Sequence, residues 1–292
     1  MVYLYFSTIT LFNAIRTVLD KYFQKGYMGG IKSAAVYNLV NAIYGTICFW
    51  IMGGLRLDYN TKTLIFSVIY AASVVINHIS VIYTMARVSV AVSAITYTAG
   101  TMLIPAIFGV LFLNEPISVK VILSLIIMLI AVIVPYLKNP EKKLSFGDII
   151  ICGIYFINCG ILIIIAKLYA ICDGVCSSTS FYCLTNIVIA VASFIAVIAY
   201  CSITHESFFK SMQIFNLRSH INILSRNVLA DIGAVITIII LTVMDVSLYT
   251  VIVSSLSLIC SSLVSRFYFK ERFTASNTIS VLLAIVALVL CL

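Results

Sequence analysis

Asp231 stands near the middle of a long apolar stretch, with Asn227 four residues before it and Arg226 five before it. On a helix Asn227 and Asp231 share a face, whereas Arg226 and Asp231 do not. A carboxylate at such a depth needs a partner on another helix, a proton or a bound cation. Asp231 and Asn227 are therefore candidates for contact with a solute or a coupling ion. At a comparable place in the first half of the chain stand Asn77 and His78. An imidazole there can take up a proton near neutral pH, although a histidine satisfied by a neighbouring carbonyl is the commoner case. Arg16 and Asp20, four apart in the first apolar run, can pair on one helical face. They either neutralise each other in place or line a cavity. Tyr97, an amphipathic ring within a run, also suits a cavity wall.

The elements that hold these groups follow from composition. Of 292 residues, 63% are hydrophobic and 10% charged, and mean hydropathy is +1.17. Soluble domains carry about 25% charged residues, because a folded surface in water must be covered by polar groups. A soluble enzyme, a disulfide scaffold and a disordered chain are excluded, and an all-α membrane protein remains. Apolar runs of span length predict ten helices near 2–23, 32–54, 63–85, 89–113, 118–137, 147–170, 177–201, 221–243, 246–269 and 274–291. The nine cysteines lie mostly inside these runs and include no C-x-x-C, so they read as small hydrophobes.

A charged, proline-containing linker at 138–146 divides the chain into five-helix halves, 1–137 and 147–292. The halves resemble each other where an apolar run ends. Phe112-Leu113-Asn114-Glu115-Pro116-Ile117-Ser118 corresponds to Tyr268-Phe269-Lys270-Glu271-Arg272-Phe273-Thr274, with an offset of 156 (271 − 115) between the glutamates. Lys21 and Lys167 form a second pair of landmarks. Ser118 and Thr274 suit the N-caps of the helices that follow. Glu115 and Glu271, just before those helices, would meet unpaired N–H groups and pin tight hairpins. Five spans per half is an odd number, so the second half enters the membrane upside down, as in inverted-repeat transporters.

At these residues the chain resembles the drug/metabolite transporter superfamily, and within it the ten-helix EamA-type permeases. The stretch from Tyr83-Thr84-Met85-Ala86-Arg87-Val88-Ser89-Val90-Ala91 through Pro105 to Glu115 is similar to that family's third-to-fourth helix hairpin. The position matching Pro105 in the second half is Ser261, a departure from the pattern. The resemblance implies a basket of helices around a central cavity and alternating access. It also implies transport of a small organic metabolite such as an amino acid, a drug-like molecule or a sugar phosphate.

The 18 Lys and Arg outnumber the 10 Asp and Glu. The excess sits at the edges of apolar runs, where it meets lipid headgroups rather than nucleic acid. Thirteen of the basic residues fall on odd-numbered connections and four on even ones, which places both termini outside. The family resemblance places them inside, and the two readings stay open. No H-E-x-x-H, G-x-S-x-G or Walker A motif occurs, so neither an enzyme nor direct ATP coupling is expected. No metal and no cofactor is expected. The partners expected are a small-molecule substrate and the lipid bilayer, and a homodimer is compatible with the sequence. The absence of an N-x-Ser/Thr sequon fits a bacterial inner membrane. A channel or a non-transporting scaffold is the alternative to a secondary transporter.

Overall fold

The computed structural model describes residues 2–26, 31–87, 90–116, 118–134, 145–204, 216–268 and 275–291. These form ten α-helices and no strand. They are α1 (Val2–Gly26), α2 (Ile31–Met52), α3 (Thr61–Arg87), α4 (Val90–Phe112), α5 (Val119–Ile133), α6 (Phe146–Ile171), α7 (Ser178–Thr204), α8 (Leu217–Val243), α9 (Val246–Phe267) and α10 (Ala275–Cys291). Seven of them, α2, α3, α4, α6, α7, α8 and α9, are long and apolar enough to cross a membrane, while α5 and α10 are shorter apolar helices. This fits an integral multi-pass membrane protein. Many segments are rich in Ile and Val, which are indifferent helix formers in water. Hydrocarbon offers the backbone no hydrogen bonds, so a helix, which satisfies its own, forms regardless. Large apolar side chains such as Leu111, Ile195 and Val289 point outward, as lipid-facing positions require.

The observed helices agree with the expected runs to within a few residues. The shifts of four residues are at the end of α5, Ile133 where 137 is expected, and at the start of α8, Leu217, a full turn earlier than the apolar pattern indicates. His220, expected in a loop, is therefore helical.

Contacts divide the chain into two compact units: Met1–Ala14, Ile79–Ile171 and Thr237–Leu292 in the first, Ile15–His78 and Cys172–Ile236 in the second. The boundaries fall inside α1, α3 and α8. Neither unit coincides with one half of the sequence.

In the first unit α5 packs on α10, and α4 on α6 and α9. Met102, Leu125, Met128, Ala131, Val251, Ala284 and Ala287 form the core. Small residues let α5 and α10 approach closely, and Ser280 Oγ donates across to the Ala131 carbonyl. The α4–α6 contact is closer still. A Cβ on Gly100 would strike the Phe156 backbone, and one on Gly160 would strike Ile104 and the Gly100 carbonyl. In the second unit α2 packs on α7 around Val36, Leu39, Val40, Val197, Cys201 and Ile223. Phe49 stacks on Tyr182 with ring centroids 5.1 Å apart. At one end Asn60 caps α3 by accepting from the Thr63 N–H at 2.7 Å. Asn60 Nδ2 also donates to the Gly174 carbonyl at 2.6 Å, tying the α2–α3 turn to the α6–α7 turn.

Gly160→Val should force α4 and α6 apart. The expected loss is about 1–3 kcal/mol, the usual cost of overpacking, read as a lower unfolding midpoint of the purified protein in detergent. An unchanged midpoint would refute the contact.

Candidate functional site

The first cluster lies in the first unit and is built at a helix end. α4 closes with a turn in which both the Leu113 and Glu115 N–H groups donate to the Gly109 carbonyl, at 3.2 and 3.0 Å. Asn114 takes a left-handed conformation there, φ 52°, which asparagine tolerates better than most residues. The turn aims the buried Glu115 carboxylate at the start of α9. Oε1 accepts from the Val246 N–H at 2.8 Å, and Oε2 accepts from the Ser247 N–H at 3.3 Å and the Ser247 hydroxyl at 3.2 Å. Asp245, the N-cap residue of α9, makes no side-chain cap bond of its own. Gly109 leaves the space: a Cβ there would collide with Glu115 Oε2.

Lys167, from α6, completes the arrangement. Its ammonium lies 3.6 Å from Glu115 Oε1 and donates to the carbonyls of Leu241 at 3.1 Å and Met244 at 2.7 Å, at the end of α8. The cation thus meets the negative end of α8 and the anion the positive end of α9, as the helix dipoles favour. Ser118 caps α5 as expected, its hydroxyl accepting from the Val121 N–H at 3.3 Å. Glu115 differs from expectation: it caps α9 rather than its own hairpin. Sequence spacing marked Lys167 only as a landmark. The signal for its role was a lysine inside the last turns of an apolar helix, where a charge needs a partner. Glu271 and Thr274 lie outside the described residues.

The second cluster lies in the second unit, along α8. Arg226 Nη1 donates to the Tyr37 hydroxyl at 2.6 Å, and its guanidinium stands 5.7 Å from the Tyr37 ring centroid. The apolar run near 221–243 placed Arg226 close to the start of its helix. The earlier start of α8 puts it more than two turns inside instead. Asn227 Nδ2 donates to the Asn41 carbonyl at 2.8 Å, and the Tyr44 hydroxyl and His220 Nδ1 are 2.9 Å apart.

Asp231, one turn beyond Asn227, is 6% exposed, and its Oδ2 has no hydrogen-bond partner among the described residues. His78 Nδ1, on α3, is likewise buried without one, and the Arg226 charge reaches this imidazole. Asn77 is buried beside it in sequence and is engaged. The structure therefore brings His78, Arg226, Asn227 and Asp231 into one unit. Tyr37 was missed, because nothing in its spacing separates it from the other aromatic residues. Tyr97 belongs to the first unit. It is 44% exposed, and its ring is tilted against Tyr155 with centroids 6.3 Å apart. Arg16 is half-buried and engaged, whereas the side chain of Asp20 lies outside the described residues. Among the described residues no group of three or more His, Cys, Asp or Glu is placed to hold a metal ion.

No family model matches the sequence, and no curated protein matches it. The fold does match solved structures, 28 chains in all. One, described only as "Crystal structure of protein", aligns with a TM-score of 0.74 at 12% identity and covers 99% of this chain and 95% of its own. At that identity the likeness concerns the fold alone.

Removing one member of a buried ion pair strands the other, at about 3–5 kcal/mol. Glu115→Gln and Lys167→Met should each lower the unfolding midpoint, and the double variant should lose less than the sum of the two. Strict additivity would show that the pair does not interact. Asp245 supplies a pH dependence. Burial first, then the Glu115 charge, raise its carboxyl above the ordinary value, and Lys167 partly opposes them. A group raised on folding favours the folded state while protonated. That contribution fades as pH climbs from the usual carboxylate value, about 3.9, through the raised one. Asp245→Asn should flatten this part of the stability–pH curve, and an unaltered curve would exclude Asp245.

Proposed function

We propose that the chain is a secondary active transporter that moves a small organic metabolite across a membrane by alternating access, in the manner of the EamA-type permeases it resembles. The observation that carries this reading is Asp231, a carboxyl near the middle of a spanning helix with a buried oxygen that no group among the described residues satisfies. An ionisable group at that depth is costly and is kept where it serves a solute or an ion. Arg226, His78 and Asn227 in the same unit supply the further polar groups that orient a solute within an otherwise apolar lining.

Two inverted five-helix repeats are part of the proposal. In their support, α2, α4 and α5 pack against α7, α9 and α10, the helices of the same rank in the second half. The first residues of α4 and α9, Val90 and Val246, are separated by the same 156 positions as Glu115 and Glu271. Ten spans and placement in a bacterial inner membrane belong to the same reading.

A panel of amino acids, sugar phosphates and amphipathic amines screened by thermal shift in detergent should yield a ligand that raises the unfolding midpoint. That ligand should then be taken up by proteoliposomes. Asp231→Asn should express normally and lose gradient-driven uptake. Uptake by the variant equal to that of the unaltered protein would remove Asp231 from the mechanism. A panel without a ligand, together with liposomes that accumulate nothing, would refute transport.

A further inference from the structure

Asp231 raises a question separate from the identity of the solute: which ion its free oxygen takes. We propose that it is a proton-binding site and not a site for sodium or another metal cation. Its place in coupling rests on the transporter reading, but its occupancy by a proton does not.

The argument is one of available ligands. A metal cation in an apolar setting needs several oxygens around it, and in membrane carriers these come largely from unwound backbone and the ends of broken helices. α8 is continuous from Leu217 to Val243 and α2 from Ile31 to Met52, so their carbonyls near Asp231 are occupied within the helices. Among the described residues, the polar side chains on the helices of this unit have their donors engaged within the protein or carry the wrong chemistry. On α8, the Asn227 amide nitrogen is given to the Asn41 carbonyl, which leaves one amide oxygen beside Asp231, fewer ligands than a metal cation needs, and Arg226 is a cation. On α2, the Tyr37 hydroxyl accepts from Arg226 and the Tyr44 hydroxyl pairs with His220. Cys48, close enough for the Asp231 charge to act on it, offers a thiol.

On α3 the group is the His78 imidazole. On α7, Asn186 Nδ2 donates to the Tyr182 carbonyl, and the Cys183 thiol donates to the Thr46 carbonyl at 3.6 Å. The other carboxylates of this unit whose side chains are described, Asp58 and Asp173, are exposed and lie in turns rather than in α8. A proton needs one lone pair, and Oδ2 offers one. Protonation forms an O–H bond and neutralises the carboxylate. Release restores the anion. Nothing is oxidised or reduced.

The test needs no transported solute. The purified protein in detergent is titrated with acid and base while the infrared carbonyl band of an un-ionised carboxyl is followed, in sodium chloride and again in choline chloride. The expected result is a band that grows as pH falls, equally in both salts. It should be lost in Asp231→Asn and restored in Asp231→Glu, whose retained carboxyl controls for folding. The proposal is overturned if the Asn variant keeps the whole band. It is also overturned if sodium at constant pH abolishes the Asp231 band or raises the unfolding midpoint of the unaltered protein alone. Failure here leaves solute uptake by proteoliposomes untouched, and failure of that uptake leaves the titration standing, so the two readings fall separately.

Discussion

A chain surrounded by hydrocarbon must satisfy its polar groups from within, and helix ends are where that is hardest. Each end exposes four backbone groups without intrahelical partners. Where α8 turns into α9, only Met244 and Asp245 separate the two helices, and the ends are satisfied by residues remote in sequence. Lys167 bonds the last carbonyls of α8 and Glu115 the first N–H groups of α9, with the ion pair between them. One pair of charges thereby ties together the α4–α5 turn, α6 and the α8–α9 turn. Its geometry depends on Gly109, which leaves room for the carboxylate, and on Asn114, which turns the chain toward it.

The same constraint explains why the two carboxylates differ. Glu115 has four listeners in backbone, hydroxyl and ammonium, and its charge is fully engaged. Asp231 has an oxygen that no group among the described residues addresses. In a medium of low dielectric such a group is stable only with something bound or a proton attached. Structural satisfaction at Glu115 and dissatisfaction at Asp231 are the physical ground for reading one as scaffold and for proposing the other as a functional group.

The remaining packing is governed by size. Lipid-facing surfaces accept any apolar residue, so Ile, Val and Leu cover them almost without pattern. Close helix contacts accept only small residues, as at Gly100 against the Phe156 backbone or Ala131 against Ser280. Inside a membrane there is little hydrophobic drive between helices. Proximity, and the dispersion and hydrogen bonds it permits, takes over that role.

The sequence by itself determined the helical class, the positions of ten helices to within a few residues, and the isolation of Asp231 along its own helix. These depend on composition and on distances along the chain, where a run of span length can form little but a helix. The cap of Ser118 on α5 is equally local and was equally legible. Tertiary structure alone decided which helix Glu115 caps, because it reaches Val246, 131 positions away. It also decided that Lys167 is the partner of Glu115 and that Tyr37 holds Arg226, since a residue's spacing says nothing about which other helix will stand opposite it. The start of α8 at Leu217 was hidden for a related reason: its first turn carries Arg218 and His220, and hydropathy sees polarity where the fold supplies Tyr44 as a partner for the histidine.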